Sequence, residues 1–159
     1  MNNLKYSYQK KIDQNILTHK LLIKEYKHIK KAIELISSCL NKSAKILICG
    51  NGGSAADSQH LAAELLVRLK PNVNRRPIPA ITLAQDISTI TACGNDYNYE
   101  DIFLRTFQAL HNKNDVLLAI TTSGNSKNVI KVLKEAKKRK VKTIGFLGSG
   151  GGKCKSYCD

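Results

Sequence analysis

Lys45-Ile46-Leu47-Ile48-Cys49-Gly50-Asn51-Gly52-Gly53-Ser54 is the stretch on which the reading of this chain turns. Residues 45–49 are a short apolar run of the kind that lies in the middle of a parallel sheet, buried on both faces. A Gly-rich turn follows at once, and residues 55–67 supply good helix formers throughout. Ser54 with Asp57 three residues on has the form of a capping box, which makes Ser54 the expected N-cap. The unit is strand, turn, helix.

The same grammar repeats downstream. Residues 78–83 read as a second strand, 99–110 as a helix, 115–120 as a third strand, 121–126 as a polar turn, 126–139 as a helix and 141–147 as a fourth strand. Strands alternating with helices imply an α/β fold, a three-layer doubly wound parallel sheet with right-handed crossovers. Upstream, apolar residues from Tyr8 to Leu40 recur at helical spacing, most clearly Ile29, Ile33, Ile36 and Leu40, with no Gly or Pro between them. That segment is one long helix or two in series.

With 159 residues and 42% apolar content the chain can build one core, and few Gly and Pro exclude collagen-like or low-complexity classes. No apolar run approaches the roughly 18 residues that span a bilayer, and the first residues lack a signal-peptide core, so the expected compartment is the cytoplasm. Five widely spaced cysteines, with no CxxC pair, read as reduced thiols.

Lys+Arg number 26 against 12 Asp+Glu, giving +14. Residues 1–45 hold ten Lys against three acids and residues 127–142 hold eight Lys+Arg against Glu135, each +7, and the remainder is neutral. Solvated faces of amphipathic helices account for both segments more simply than nucleic acid does, because stacking aromatics and recognised binding motifs are lacking.

In doubly wound sheets ligands gather beyond the carboxyl ends of the strands, and both polar turns fall at that edge. Gly50-Asn51-Gly52-Gly53-Ser54 lets backbone approach a ligand before a helix N-terminus, although a plain structural connection has the same look. Thr121-Thr122-Ser123-Gly124-Asn125-Ser126 offers four hydroxyls at another helix N-terminus, suited to a phosphate monoester held by neutral donors; its simpler reading is a turn with Ser126 as ordinary N-cap. Two such loops at one edge favour a phosphorylated small molecule. His60 and Glu64, at i and i+4, share a helix face on which they could enter the same crevice, bind a divalent metal or supply a base, or form a mere surface pair. Gly94-Asn95-Asp96 is by itself ordinary turn chemistry.

The blocks ICGNGGSAADSQHLAAEL, CGNDYNYEDIF and AITTSGNSKNVIKVLKEAK together resemble the sugar-isomerase (SIS) domain family, and within it the phosphoheptose isomerases. The resemblance implies the flavodoxin-like SIS fold over residues 45–159, with residues 1–44 as a helical segment packing on the core and at an oligomer interface. It implies conversion of sedoheptulose 7-phosphate to D-glycero-D-manno-heptose 7-phosphate through an enediol, for the heptose of bacterial lipopolysaccharide. Asn51, Gly52, Gly53 and Ser54 would contact sugar and phosphate, as would Asn95 and Asp96, while Thr121, Thr122, Ser123 and Ser126 would hold the phosphate. Glu64 would be the catalytic base, touching substrate, and His60 and Glu64 would be two ligands of a Zn2+ ion, one per subunit. Family members are usually homotetramers, with sites built where subunits meet.

Family members continue beyond Cys158-Asp159 with a strand and a long helix that supplies a Gln and a His ligand. The chain stops before both, so the last strand and closing helix are expected to be missing, zinc to be held poorly, and residues 141–147 to form an exposed apolar sheet edge. A non-catalytic SIS module that binds a sugar phosphate, or a protein partner such as the replication initiator, is the alternative reading.

Overall fold

The computed structural model describes residues 2–84, 86–148 and 150–159, in two compact units that join between Glu34 and Leu35. The first unit holds helix α1 (Asn2–Leu21), a 3-10 turn (Leu22–Glu25) and the start of helix α2 (Tyr26–Asn41). The helical segment is thus two helices in series, and neither Gly nor Pro marks the break. Leu4, Tyr8, Ile12 and Ile16, four residues apart on α1, are all exposed. The two units meet inside α2, and within the second Cys39 is buried with its Sγ donating to the Lys45 carbonyl at 3.4 Å.

The second unit is the sheet and its helices. Strands β1 (Ile46–Gly50), β2 (Ala80–Thr82), β3 (Val116–Thr121) and β4 (Lys142–Leu147) are parallel, in the order β2-β1-β3-β4. They alternate with helices α3 (Gly53–Leu66), α4 (Ile87–Asp96), α5 (Ile102–Leu110) and α6 (Lys127–Lys138). Every residue of β1 is buried, as a central parallel strand covered on both faces requires. Leu47, Cys49, Leu117 and Ala119 pack with Phe103 and Phe107 of α5 and Val129, Val132, Leu133 and Ala136 of α6. Ile46, Ile48, Val116 and Leu118 alternate with them, and α3, with its buried Ser58 and Ala62, packs on β1, β2 and β3.

Three local expectations change. The strand expected over 78–83 contracts to Ala80–Thr82, since Pro77 and Pro79 have no N–H to give a ladder. The helix expected over 99–110 opens with a 3-10 turn (Tyr99–Asp101) before α5. Residues 87–96, read as turn chemistry around Gly94-Asn95-Asp96, are the helix α4, capped by Asp86, whose carboxylate accepts the Thr89 N–H at 2.7 Å. Ile87, Thr89, Ile90, Thr91 and Gly94 are weak helix formers, so the cap and burial of Cys93 outweigh propensity here.

Strand β4 is the sheet edge, as expected, but it is not bare. The Asp159 N–H donates to the Thr143 carbonyl and the Thr143 N–H to Asp159 Oδ2, each at 3.0 Å, while Lys142 Nζ donates to Asp159 Oδ1 at 2.9 Å. The edge groups of Thr143 are therefore paired, and Phe146 remains half exposed. No helix among the described residues is long and apolar enough to cross a membrane.

Candidate active site

Gly50 at the end of β1 lies opposite Ile120 near the end of β3, so the two polar turns leave the sheet side by side at its carboxyl edge. In the first turn a Cβ on Gly50 would stand 2.5 Å from the Ser54 carbonyl oxygen, which leaves room for glycine alone. Gly52 takes φ +55° and is itself the residue before α3, so the helix begins at Gly53. Ser54 therefore lies in the first helical turn and is not the N-cap. Its N–H donates to Asn51 O at 3.0 Å and its carbonyl accepts Ser58 Oγ at 2.7 Å. The glycine turn closes the chain before Ser54 can cap.

The second turn is clamped by Gly148 and by residues 151–154. A Cβ on Gly124 would meet the Gly151 carbonyl oxygen at 2.0 Å, and one on Gly148 would meet the Thr122 oxygen at 2.0 Å. The Cys154 N–H donates to Gly124 O at 2.9 Å and the Lys153 N–H to Asn125 Oδ1 at 3.1 Å. Held this way, the turn presents Thr122 and Ser123 to solvent, with Ser126 half-buried and Thr121 buried. Ser123 Oγ accepts the Asn125 N–H at 3.1 Å, which leaves its own proton to donate. Ser126 stands at the N-cap of α6 without a side-chain capping bond; its Oγ lies 3.2 Å from Thr121 Oγ1. These hydroxyls stand at the N-terminus of α6 with no cation among them, a neutral donor set of the chemistry that suits an anion.

Asn51 joins the two turns. Its amide exchanges hydrogen bonds with Asn128 of α6, 2.8 Å in one direction and 2.9 Å in the other, and Tyr99 donates its hydroxyl to Asn51 Oδ1 at 3.3 Å. Asn128 is 3% exposed and its Oδ1 also accepts the Val129 N–H at 2.9 Å. Neither Asn128 nor Tyr99 was singled out from sequence. The signal was present in Asn128, a polar residue at i, i+4, i+8 spacing with Val132 and Ala136 on the apolar stripe of α6. Asn95 and Asp96 occupy the last turn of α4, exposed and bonded to each other at 2.8 Å, on the connection that leads to Tyr99.

His60 and Glu64 do share one face of α3, with Nε2 and Oε1 3.6 Å apart. Glu64 belongs to the last turn, however, and a rise of 1.5 Å per residue carries it roughly 16 Å along the axis from Gly53, with His60 roughly 10 Å along. The pair thus lies well down the helix from its glycine turn. Glu64 Oε2 is buried and has no hydrogen-bond partner, an open acceptor. Arg75 fixes this end of α3 by donating to the carbonyls of Leu65 at 2.8 Å and Glu64 at 2.5 Å. An imidazole and a carboxylate are suitable zinc donors, but a closed tetrahedral site takes four, and no group of three or more His, Cys, Asp or Glu comes together among the described residues. These two side chains do not by themselves make a zinc centre.

Residues 7–148 match the SIS domain model. A phosphoheptose isomerase of a Nitratiruptor species is 52% identical over 132 residues, which cover 83% of this chain and 70% of that protein. One from Helicobacter pylori is 46% identical over 153 residues, 93% of this chain and 79% of that one. The structure of phosphoheptose isomerase GmhA from Neisseria gonorrhoeae superposes with a TM-score of 0.84 at 37% identity, covering 99% of this chain and 80% of that chain. A phosphoheptose isomerase from Francisella tularensis gives 0.76 at 40% identity, covering 82% and 68%. With the paired turns at the carboxyl edge and the His-Glu pair on α3, this chain belongs to the phosphoheptose isomerases of the SIS-domain family.

Proposed function

We propose that the protein is an isomerase interconverting sedoheptulose 7-phosphate and D-glycero-D-manno-heptose 7-phosphate, in heptose biosynthesis for bacterial surface polysaccharide. The observation that carries this reading is the Asn51–Asn128 bridge, which holds a glycine turn and a hydroxyl-rich helix N-terminus together at one sheet edge. Thr121, Thr122, Ser123 and Ser126 hold the phosphate by neutral donors and the α6 dipole. Asn51, Gly52, Gly53 and Ser54 border the sugar, with Asn95 and Asp96 on the neighbouring connection.

Aldose–ketose exchange needs a base that removes the proton alpha to the carbonyl and returns it to the adjacent carbon. Glu64 has a carboxylate oxygen with no other partner and takes that role. Its distance from the phosphate turn supports a site completed between copies, the His60–Glu64 face of one meeting the turns of another. The exposed Leu66, Val67 and Leu69 beside that face, and the exposed apolar residues of α1, are the surface such an oligomer, a tetramer by family likeness, would cover. Should the enzyme take zinc, His60 and Glu64 would be this chain's share of the ligands, and the metal would polarise the sugar oxygens.

Incubation with sedoheptulose 7-phosphate in D2O, with and without added zinc, tests the reading. Deuterium entering the carbon next to the carbonyl, together with appearance of the aldose, is the expected result. Tight sugar-phosphate binding with no exchange under either condition would instead establish a binding module.

A further inference from the structure

The amino edge of the sheet, opposite the sugar-phosphate turns, carries a second concave site that the proposed isomerisation does not use. The connections leading into β1, β3 and β4 enclose a cavity of 570 Å³ lined by Lys42, Lys113, Arg139, Lys140 and Lys142. We propose that this cavity binds a small, multiply phosphorylated anion. The two basic stretches of the sequence, distant along the chain, meet here through Lys42 at the end of α2 and residues 139–142 after α6.

The charge is not cancelled locally. Asp115 faces the cavity but is fully engaged, Oδ1 accepting the Lys45 N–H and Oδ2 accepting Lys45 Nζ and the Asn112 N–H. Arg139 is held by Glu135, and Lys142 by Asp159. Among the described residues no carboxylate pairs with Lys42, Lys113 or Lys140. Counting Lys45, six cationic side chains meet three side-chain carboxylates, leaving three side chains in positive surplus around one hollow. His111 is engaged on both ring nitrogens, Nδ1 lying 3.0 Å from Phe107 O and Nε2 3.2 Å from Arg139 Nη1.

Lys140 adopts φ +59° just after α6, a backbone position that glycine takes without strain, so its charge can be removed there without straining the fold. A volume of this size suits a small molecule, and three surplus charges favour several phosphoryl groups over one. The ring of His111, at the wall of the cavity, is stacked on Phe107 at 4.7 Å.

Calorimetric titration of the full chain with inorganic tripolyphosphate, and separately with orthophosphate, tests this. Tripolyphosphate is expected to bind at least about tenfold more tightly than orthophosphate, with an affinity that falls as salt rises. The variant K42Q/K113Q/K140G is expected to lose about tenfold or more, as removal of charge-assisted contacts requires. K140G alone should weaken binding while its thermal midpoint stays at or above the parent's, which separates loss of contact from loss of fold. The variant S123A/S126A should bind tripolyphosphate as the parent does. Equal affinity for the two anions, unchanged binding by the lysine variant, or loss of binding in the serine variant would overturn the proposal.

Discussion

Asn51 and Asn128 lie 77 positions apart and exchange amide hydrogen bonds in both directions, at 2.8 and 2.9 Å. This reciprocal pair is the side-chain bond between the turn after β1 and the helix after β3. It converts two loops that merely share a sheet edge into one surface of fixed geometry, since Tyr99 also donates to Asn51. A buried amide satisfied on both sides stabilises modestly, and one left unpaired costs more.

Asn128→Ala is accordingly expected to lower stability by about 2 kcal/mol, from the unpaired Asn51 amide and the lost bond to the Val129 N–H. Asn128→Asp replaces the donor facing Asn51 Oδ1 with an acceptor and is expected to be no better. Urea denaturation measures the first effect; steady-state kinetics should show KM rising more than kcat falls, because the residue positions the loop without touching the reacting atoms.

Ser126 separates capping from phosphate binding. Its side chain makes no capping bond, so Ser126→Ala is expected to cost less than the roughly 1 kcal/mol typical of an N-cap loss. Sugar-phosphate affinity should nevertheless fall about tenfold, the worth of one charge-assisted hydrogen bond. A thermal midpoint that drops as steeply as the affinity would reduce Ser126 to an ordinary cap.

Glu64→Gln should abolish deuterium exchange while leaving sugar-phosphate binding, because the amide cannot take a proton. Mixing it with a Ser123→Ala/Ser126→Ala chain, after joint unfolding and refolding, should restore exchange if base and phosphate turn come from different copies. Mixtures as inactive as their components would place the whole site within one chain.

Two glycine substitutions should move stability in opposite directions. Gly124→Ala forces φ +63° on a side chain and sets its Cβ 2.0 Å from the Gly151 oxygen, so a loss of more than about 3 kcal/mol is expected. Gly94 sits inside α4 with nothing within 4 Å of its missing Cβ, and Gly94→Ala should gain roughly 0.5–1 kcal/mol. Paired urea titrations decide both.

Burial raises the thiol pKa of Cys39, Cys49, Cys154 and Cys158, the last to about 11. The folded chain thus keeps protons that the unfolded chain sheds near its ordinary value of 9.0. Their contribution is intact below that pH and is lost as pH rises from there through the folded values. Urea midpoints should therefore decline from about pH 9 upward, and a Cys49→Ala chain should show a shallower decline.

Much of this could be read from residues 45–54 and 121–126, because an apolar run followed by glycines or hydroxyls and a helical pattern has few alternatives in a parallel sheet. The meeting of both turns at one edge followed the same rule, as did the i, i+4 pairing of His60 with Glu64. Three ordered blocks also carried a strong family likeness. Nothing local pointed to α4, whose β-branched residues and Gly94 argue against a helix until Asp86 caps it and Cys93 is buried. Nor could residue pattern place the true start of α3, since a residue at positive φ moved the cap from Ser54 to Gly52.

What the chain order determined was a list of elements and the chemistry each carries, for these depend on neighbours a few residues away. Only the tertiary structure decided that Asn51 reaches Asn128, that Lys42 joins Lys113 and Lys140 around one hollow, and that Glu64 stands a helix length from its own glycine turn. Those relations are distances through space between segments far apart in sequence, and they are fixed by strand order and helix rise, which no local pattern of residues contains.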